Sequence, residues 1–417
     1  MQSRVAATSD RQLMPVLLWL TVLALIARMT IFVRQRTSTE FTAIDPSAAV
    51  EIALVGLTVA LLLLNPRLGP VLRRVSRMSA GMLLLYYALC MVASSWSVLP
   101  SFSLFRSVEA ASQYMAVFVA LSYCSSFENA ERRVLAVSTV ALLCGIGLNL
   151  KLNGFAFSFE ALHTNSYSTS AAVLCCYCLG EVLTAGKKRA RLLKIYGTIA
   201  LAAVIMGTSS ASIIAALCGV AVAMMWTRRR GVLISALLIG ALVLSFVIEG
   251  DMIQGVIFPG KTEAQIETLH GRTPLWEDFG EEIKANPVFG GGLGVAARLS
   301  TVRYTTNAHN ALFAVLLSTG VMGLIVVLAG VAKLGTETLS SVRLHRPGAV
   351  GCAAALVAGL VNSMGLPIVG EAWMAPTLVF AGVLGLHLLY VVSFRRPGHA
   401  VSRRGIPVRG EYARSRR

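Results

Sequence analysis

Residues 308–332 have the sequence AHNALFAVLLSTGVMGLIVVLAGVA, and this stretch decides the fold class. None of these residues is Asp, Glu, Lys or Arg, and a helix needs about 20 predominantly apolar residues to cross a bilayer. The apolar residues also run continuously, whereas the strands of a membrane β-barrel alternate between apolar and polar residues. The stretch therefore predicts a transmembrane helix.

Similar runs recur along the whole chain, which is 56% hydrophobic and 14% charged. A soluble domain carries about 25% charged residues, so most of this chain is expected to lie out of water. We predict an all-α polytopic membrane protein with about twelve spans, which form one membrane domain over residues 1–417. Because Gly207-Thr208-Ser209-Ser210 interrupts one apolar run, the seventh and eighth spans are either two short helices or one broken helix. The predicted spans are 14–33, 48–64, 78–95, 108–124, 133–150, 167–185, 192–207, 209–226, 231–249, 308–332, 349–366 and 374–393.

The distribution of basic residues indicates which side of the membrane each segment faces. The net charge is +17, and 27 of the 37 Lys and Arg residues fall on one side of the predicted spans, against 9 on the other. Basic residues concentrate on the cytoplasmic side, so both termini are predicted to be cytoplasmic and the long loop at 250–307 extracytoplasmic. The basic tail at 395–417 is then interpreted as an anchor on anionic lipid, and no nucleic-acid partner is expected.

The loop at 250–307 has predicted structure of its own. Thr273 is a predicted N-cap with Pro274 at the first helical position, and Asn286-Pro287 predicts the end of this helix. Four glycines follow in Gly290-Gly291-Gly292-Leu293-Gly294, which allow a tight turn or a close approach to a ligand. We expect a short amphipathic helix that lies on the membrane surface or over a cavity. Its apolar stripe consists of Leu275, Trp276, Phe279 and Ile283.

Two residues in or next to this loop are candidates for substrate binding or catalysis. Arg272 stands at a predicted helix start, where free N–H groups favour anions, and its guanidinium fork suits a phosphate. The alternative is an interfacial arginine that snorkels to water or pairs with Glu277. His309 opens a predicted span and, with a reference pKa of about 6.5, is a candidate base near neutral pH. The alternative is a helix-end histidine that bonds to the backbone.

Charged residues within the predicted spans are costly in lipid and are functional candidates by default. We favour a structural pair of Arg28 with Glu51 between the first two spans over a proton relay, because no chain of ionisable residues continues through the bundle. The charged residues of this kind are Arg28, Glu51, Glu109 and Glu181.

The segment GRTPLWEDFGEEIKANPVFGGGLG at 271–294, with AHNALFAVLLSTGVMGL at 308–324, resembles the signature of the O-antigen ligase and polysaccharide polymerase superfamily. Weaker resemblance covers the loop at 96–106 and His163-Thr164-Asn165. The resemblance implies a GT-C type membrane glycosyltransferase that needs neither a metal nor another cofactor. Such enzymes move a whole glycan from undecaprenyl pyrophosphate to an acceptor on the periplasmic face of the bacterial inner membrane.

The resemblance also implies roles for individual residues. Arg272 would bind the pyrophosphate, and His309 would act as the base or orient the acceptor or the phosphate. Asn310 would support His309. The candidate substrate-binding residues are Arg106, His163, Asn165, Arg298, Arg303, Asn310, Gly292 and Gly294.

One position departs from the family pattern. Family members often carry an Arg or Lys in a Ser-rich segment that opens a middle span, where this chain has Ser210 in GTSSASIIAAL. If one phosphate-binding cation is lost here, Arg298, Arg303 or Arg106 would compensate.

The signature leaves several functions open. We interpret the chain as an O-antigen ligase in lipopolysaccharide biosynthesis, with lipid A-core as the acceptor. A polymerase that joins lipid-linked repeat units has the same signature. A transporter of lipid-linked oligosaccharide is a more distant alternative, which predicts ionisable residues at mid-membrane and broken helices.

Overall fold

A computed structural model of the protein is helical, with no β-strand in the part of the chain that it describes. This part comprises residues 2–32, 45–153, 164–207, 209–226, 272–300, 308–371 and 373–393. The α-helices are α1 (Gln2–Ile31), α2 (Pro46–Leu63), α3 (Leu68–Val75), α4 (Ser79–Ala93), α5 (Pro100–Ser122), α6 (Phe127–Asn153), α7 (Thr164–Val182), α8 (Lys187–Met206), α9 (Ser210–Trp226), α10 (Arg272–Ala285), α11 (Ala311–Arg343), α12 (Ala349–Asn362) and α13 (Ala375–Leu386). The structure also contains two short 3₁₀-helical turns, at Ser94–Trp96 and Ala296–Arg298, and a π-helical turn at His387–Val392.

Five helical stretches within the described ranges are long and apolar enough to cross a membrane, which agrees with the prediction of an all-helical membrane protein. Shorter apolar helices occur at Leu13–Arg28, Ser210–Trp226 and Ala349–Asn362. The predicted span at 231–249, residues 250–271 of the long loop and the tail at 395–417 lie outside the described residues. The five longer stretches are Pro46–Leu63, Ser79–Trp96, Phe127–Leu152, Ala311–Arg343 and Ala375–Val392.

Helices α5 and α13 form the centre of the bundle. The stretch from Ala116 to Leu121 in α5 is completely buried, and 89% of the Ala375–Val392 stretch is buried inside the protein. Helix α13 contacts α5, α6, α7 and α12. A helix that touches protein on all sides does not need a lipid-facing surface, which explains how α5 can carry the buried Glu109 within the predicted span at 108–124.

The interrupted run around residue 207 forms two helices and not one broken helix. Helix α8 ends at Met206 and α9 begins at Ser210. Both helices pack against α7, and α9 also packs along α12. The short helix α3, with Arg73 and Arg74 in its last turn, was not predicted.

Helix α11 has 33 residues and bends at Gly320. A straight helix of this length would be about 50 Å long, against a hydrocarbon core of about 30 Å. Gly320 has φ 60° and ψ −157°, which interrupts the helical backbone. The bend separates a short segment at 311–319 from a longer one at 321–343.

An ion-pair cluster joins α6, α7, α8 and α12 at the end of the bundle opposite to the start of α7. The Arg189 guanidinium donates to both carboxylate oxygens of Glu131, at 2.7 and 2.6 Å, and to Glu181 Oε2 at 2.6 Å. The amide of Gly351 donates to Glu181 Oε1 at 2.9 Å. These contacts give the buried Glu181 a structural role, and we call Glu131, Glu181 and Arg189 the distal cluster.

Candidate functional site

Helix α10 packs on the first turns of α11. Leu275 and Phe279 are buried against Ala308 and Ala314, and Trp276 stacks on Phe313 with ring centroids 5.6 Å apart. The four residues of the predicted apolar stripe thus pack against protein, with Leu275 and Phe279 buried and Trp276 and Ile283 partly buried. The helix already includes Arg272 and Thr273, so it begins before the predicted cap.

The segment after α10 replaces backbone hydrogen bonds of α11 at its bend. In a continuous helix the Val321 and Met322 amides would donate to the carbonyls of Leu317 and Ser318. Here Val321 donates to Pro287 O at 2.9 Å and Met322 to Val288 O at 3.3 Å. The freed carbonyls are also satisfied, because Leu317 O accepts from Gly291 N at 2.8 Å and Ser318 O accepts from Gly292 N at 3.0 Å. Residues 287–292 therefore act as a splint, and we use this name for them below.

Glycine is required on both sides of this contact. Gly290 has φ 64°, and a Cβ there would lie 2.5 Å from the backbone of Ser318 and Thr319. A Cβ at Gly320 would lie 2.3 Å from the carbonyl carbon of Val288. The close approach of two backbones explains these glycines without a ligand.

The loop between α4 and α5 holds the splint from its other side. Trp96 Nε1 donates to Gly290 O at 3.1 Å, and Ser97 Oγ donates to Gly291 O at 2.6 Å. A Cβ at Gly292 would lie 2.7 Å from Ser97 Oγ and 2.6 Å from Ser103 Oγ. Gly292 thus has a packing role in this structure, and its predicted role in substrate binding stays a prediction.

His309 immediately precedes the cap of α11 and has an unusual backbone. Its φ of 53° lies in the left-handed region, which non-glycine residues seldom adopt. The Asn310 side chain caps the helix by accepting from Leu312 N at 2.8 Å. Ala308 N donates to Glu371 Oε1 at 3.0 Å. His309 is therefore held between two anchored neighbours at the start of α11.

Arg272 lies beside the turn that follows α12. A Cβ at Gly365 in this turn would lie 3.8 Å from Arg272 Nη1 and 2.7 Å from the Cβ of Ala211 in α9. In the same turn, Ser363 O accepts from Ala311 N at 2.8 Å. The first residues of α9, α10 and α11 consequently meet at one short turn. We call Arg272, His309, Asn310 and the turn 363–365 the helix-start cluster.

A buried polar network lies beneath this cluster and was not predicted. Asn362 at the end of α12 accepts from Thr169 Oγ1 and donates to Ser212 Oγ, each at 3.0 Å. Ser212 Oγ donates to Ser168 Oγ at 3.1 Å. Ser168 Oγ in turn contacts the carbonyl of Asn165 at 3.4 Å, which brings this predicted residue near the cluster. The network therefore joins the second turn of α7 to the start of α9 and the end of α12.

Arg106 belongs to a different group of charges. It donates to Glu51, which also pairs with Arg28 at 2.9 Å, and to Glu109 Oε2 at 2.8 Å. The predicted pair of Arg28 with Glu51 is thus confirmed, and its extension to Arg106 and Glu109 was not foreseen. Two guanidinium groups and two carboxylates balance each other in this buried quartet.

Arg298 lies next to the quartet. The Arg298 and Arg106 guanidinium carbons lie 5.0 and 5.2 Å from the centre of the same Phe102 ring. Arg298 Nη1 also donates to Gly294 O. The neighbouring Ala297 is buried in the cluster that contains Leu275 and Ala308. The sequence-predicted residues therefore form two adjacent groups, one around His309 and one around Arg106.

Two predicted residues, His163 and Arg303, lie outside the described residues. Glu371, which is not among the predicted site residues, contacts the backbone beside His309. The polar residues Thr169 and Asn362 within predicted spans were the available signal for the buried network, since such residues need partners in a membrane.

Residues 195–328 match the family model described as O-antigen ligase. The match confirms the predicted resemblance to the O-antigen ligase and polymerase superfamily. The matched part of the chain includes Arg272, the splint and His309, and it ends after the bend of α11. None of the curated proteins matches the chain.

The O-antigen ligase family consists of glycosyltransferase-like enzymes of the ligase or polymerase type, which act on lipid-linked glycans and a lipid acceptor. The match supports a function of this type, and the apolar helices agree with a membrane protein. Arg106 and Asn165 lie outside the matched residues.

Proposed function

We propose that the protein transfers a glycan en bloc from undecaprenyl pyrophosphate to lipid A-core, as an O-antigen ligase of lipopolysaccharide biosynthesis. One observation carries the proposal: the starts of α9, α10 and α11 meet at the turn 363–365, and Arg272 and His309 lie there. Helix starts carry the positive end of the helix dipole, so the meeting of three of them beside Arg272 favours a polyanion such as pyrophosphate.

The proposed reaction forms one glycosidic bond and breaks one bond to phosphate. The acceptor hydroxyl oxygen attacks the anomeric carbon of the donor glycan, and its proton passes to the His309 imidazole. The electron pair of the broken bond leaves with undecaprenyl pyrophosphate. Arg272 and the helix starts stabilise this leaving group without a metal ion.

The contacts of the remaining candidate residues indicate which of them are structural and which are available to the substrate. Arg106 is balanced by two carboxylates, which favours a structural role for its charge. Arg298 contacts a carbonyl and an aromatic ring, and it is the better candidate for a phosphate or sugar contact in this group. Arg272 Nη1 lies beside Gly365, whose other neighbour is Ala211 in the first turn of α9, so its charge lies close to the helix start where this chain has Ser210.

The location follows from the charge distribution of the sequence. We infer a multi-pass protein of the bacterial inner membrane, with cytoplasmic termini and the helix-start cluster on the periplasmic face. The distal cluster, with the basic start of α8, then lies on the cytoplasmic side.

A polymerase differs from this ligase in its acceptor, which would be a second lipid-linked repeat unit. The bend in α11 is weak support for the transporter alternative. In transporters the irregular backbone of a broken helix lines a substrate or ion site, whereas here the splint satisfies the opened backbone groups.

The test is transfer by protein reconstituted in liposomes with undecaprenyl-pyrophosphate-linked glycan from the source organism. Lipid A-core and a second portion of lipid-linked glycan serve as alternative acceptors. We expect Arg272→Ala to lower the rate about 10²-fold to 10³-fold and His309→Ala about 10²-fold to 10⁴-fold. Transfer to lipid A-core alone supports the ligase, and elongated lipid-linked glycan supports the polymerase.

Two matched variants control for these substitutions. His345→Ala removes a histidine that also has positive φ, 50°, from the opposite end of α11. Lys284→Ala removes an exposed cation from the last turn of α10. Both should keep the wild-type rate. Wild-type transfer by Arg272→Ala and His309→Ala would refute the site assignment, and glycan translocation without a new glycosidic bond would favour the transporter.

A further inference from the structure

The backbone of His309 is strained in a place where strain is unusual. A non-glycine residue in the left-handed region costs about 1–3 kcal/mol and persists when its surroundings hold it. His345 has a similar φ of 50°, but it follows the end of α11, where left-handed residues commonly close helices. His309 precedes a helix, so its conformation needs support from outside α11.

That support reaches His309 through the backbone on both sides. Before it, Ala308 O accepts from Trp276 Nε1 at 3.1 Å, and Ala308 N donates to Glu371 Oε1 at 3.0 Å. After it, Ala311 N donates to Ser363 O at 2.8 Å. Among these contacts, Glu371 supplies the side-chain oxygen that accepts the amide hydrogen of the residue directly before His309.

Glu371 is itself firmly placed. It is 3% exposed and lies in the segment between α12 and α13. Its neighbour Gly370 has φ 89° and approaches α11 so closely that a Cβ there would lie 3.1 Å from the Cβ of Ala314. On its other side, Trp373 is buried with its ring 5.2 Å from that of Tyr114 in the central helix α5. The carboxylate is therefore fixed relative to the core of the bundle.

We propose that Glu371 is a positioning residue for His309. By accepting the Ala308 amide hydrogen, its carboxylate holds the left-handed backbone at 309 and sets the direction of the imidazole toward the acceptor hydroxyl. The kinetic part of this inference rests on the proposed function, in which His309 acts as the base. Glu371 does not itself take part in the bond changes.

Two substitutions separate the hydrogen bond from the charge. Glu371→Gln keeps an acceptor oxygen at the same distance along the side chain and removes the charge. Glu371→Asp keeps the charge and withdraws the oxygen by one methylene group. We expect Glu371→Gln to keep kcat within about 3-fold of wild type and Glu371→Asp to lose about 10-fold to 100-fold, because small misplacement of a catalytic group is costly. The donor KM should change less than kcat in both variants.

Glu337 provides a matched control at the other end of α11. Its carboxylate accepts from the Ser79 amide at 3.1 Å, which is the same kind of contact far from His309. Glu337→Asp should lower the thermal stability of the detergent-purified protein and leave kcat unchanged. A purely structural role of Glu371 would give its Asp variant this same pattern and would overturn the proposal.

A second measurement does not depend on transfer activity. Diethyl pyrocarbonate modifies accessible neutral imidazoles, and mass spectrometry of the peptides gives the rate at His309. We expect faster modification in Glu371→Asp and a wild-type rate in Glu371→Gln and Glu337→Asp, because a released backbone exposes the half-buried His309. His345 in each sample serves as the internal reference.

The outcomes distinguish this inference from the proposed function. If the wild type transfers no glycan but Glu371→Asp still accelerates labelling of His309, the function fails and the positioning stands. If the wild type is active and Glu371→Asp equals it in both kcat and labelling, the positioning fails. Equal impairment of the Gln and Asp variants also overturns the proposal, because the carboxylate charge would then matter more than the accepted hydrogen bond.

Discussion

The Gly291 amide donates a hydrogen bond to the carbonyl oxygen of Leu317 at 2.8 Å, where α11 would otherwise have bonded its own Val321 amide. Three further hydrogen bonds repeat this exchange across the bend at Gly320. A helix that opens in an apolar environment leaves polar backbone groups that must be satisfied. The splint meets this requirement and fixes the direction of the segment that begins after His309.

The bend of α11 leads to a prediction on stability. Gly320→Ala would place a Cβ 2.3 Å from the Val288 carbonyl carbon, at a φ and ψ that essentially only glycine adopts. We expect it to lower the free energy of unfolding by about 3 kcal/mol or more, since strain and displaced hydrogen bonds add. Thermal unfolding of the purified protein, followed by tryptophan fluorescence, measures this.

Gly335→Ala is the control for this prediction. Gly335 lies in the same helix, and a Cβ there would meet no heavy atom within 4 Å. Alanine should be neutral or stabilise the helix by up to about 1 kcal/mol. Equal stability of the two alanine variants would contradict the role given to the bend.

The quartet around Arg106 yields a prediction that separates structure from catalysis. Arg106→Met leaves the buried carboxylates of Glu51 and Glu109 with Arg28 as the remaining cation of the quartet. Breaking a buried ion pair costs about 3–5 kcal/mol, so expression and thermal stability should fall sharply. Adding Glu109→Gln restores the charge balance and should recover most of the stability.

The transfer rate of this double variant decides what Arg106 does. A structural Arg106 predicts that Arg106→Met with Glu109→Gln recovers activity together with stability. Recovered stability without activity would instead indicate a contact to the substrate, as first predicted for Arg106. Purely additive destabilisation in the double-mutant cycle would show that Arg106 and Glu109 are not coupled.

The distal cluster gives a prediction far from the proposed site. Burial lowers the pKa of Arg189, but the hydrogen bonds and charges of Glu131 and Glu181 raise it by more, so its net pKa lies above the ordinary value and the guanidinium stays charged. Arg189→Lys keeps a charge but loses the two-pronged contact, which should cost about 1–3 kcal/mol. Chemical or thermal unfolding measures the loss.

Arg191→Lys is the matched control, because Arg191 is exposed two residues further along α8. It should change stability by no more than about 0.5 kcal/mol. Neither variant should alter the rate of transfer in molecules that remain folded. An Arg189→Lys protein as stable as wild type would mean that the fork geometry is unimportant.

Helix positions were largely predictable from the sequence because they depend on local patterns. The predicted span at 48–64 corresponds to α2 at Pro46–Leu63, whose start is capped by the side chain of Asp45. The amphipathic helix in the long loop was predicted from apolar residues at helical spacing, and Leu275 and Phe279 are indeed its buried residues. Periodicity did not reveal that the apolar face meets α11.

Contacts between distant parts of the chain were not predictable in the same way. The hydrogen bond from Trp96 to Gly290 spans 194 positions, and no pattern within either segment specifies the other. Charge and position likewise suggested the pairing of Arg28 with Glu51. Nothing in the sequence around Arg106 indicated that it joins this pair, and Arg106 was interpreted as a ligand of phosphate or sugar. The glycines at 290–294 were expected to allow a tight turn or a close approach to a ligand. The described contacts explain Gly290 by the approach of the α11 backbone and Gly292 by the side chains of Ser97 and Ser103.

The splint precedes α11 in the chain, and this order has a consequence for biogenesis. When Gly291 and Gly292 are synthesised, the residues whose carbonyl groups will accept their amide hydrogens have not yet been added to the chain. The bend can be closed only after Met322 has emerged and α11 has been inserted. The segment that presents His309 therefore cannot take its final form before that point, and a partly inserted chain carries an incomplete site.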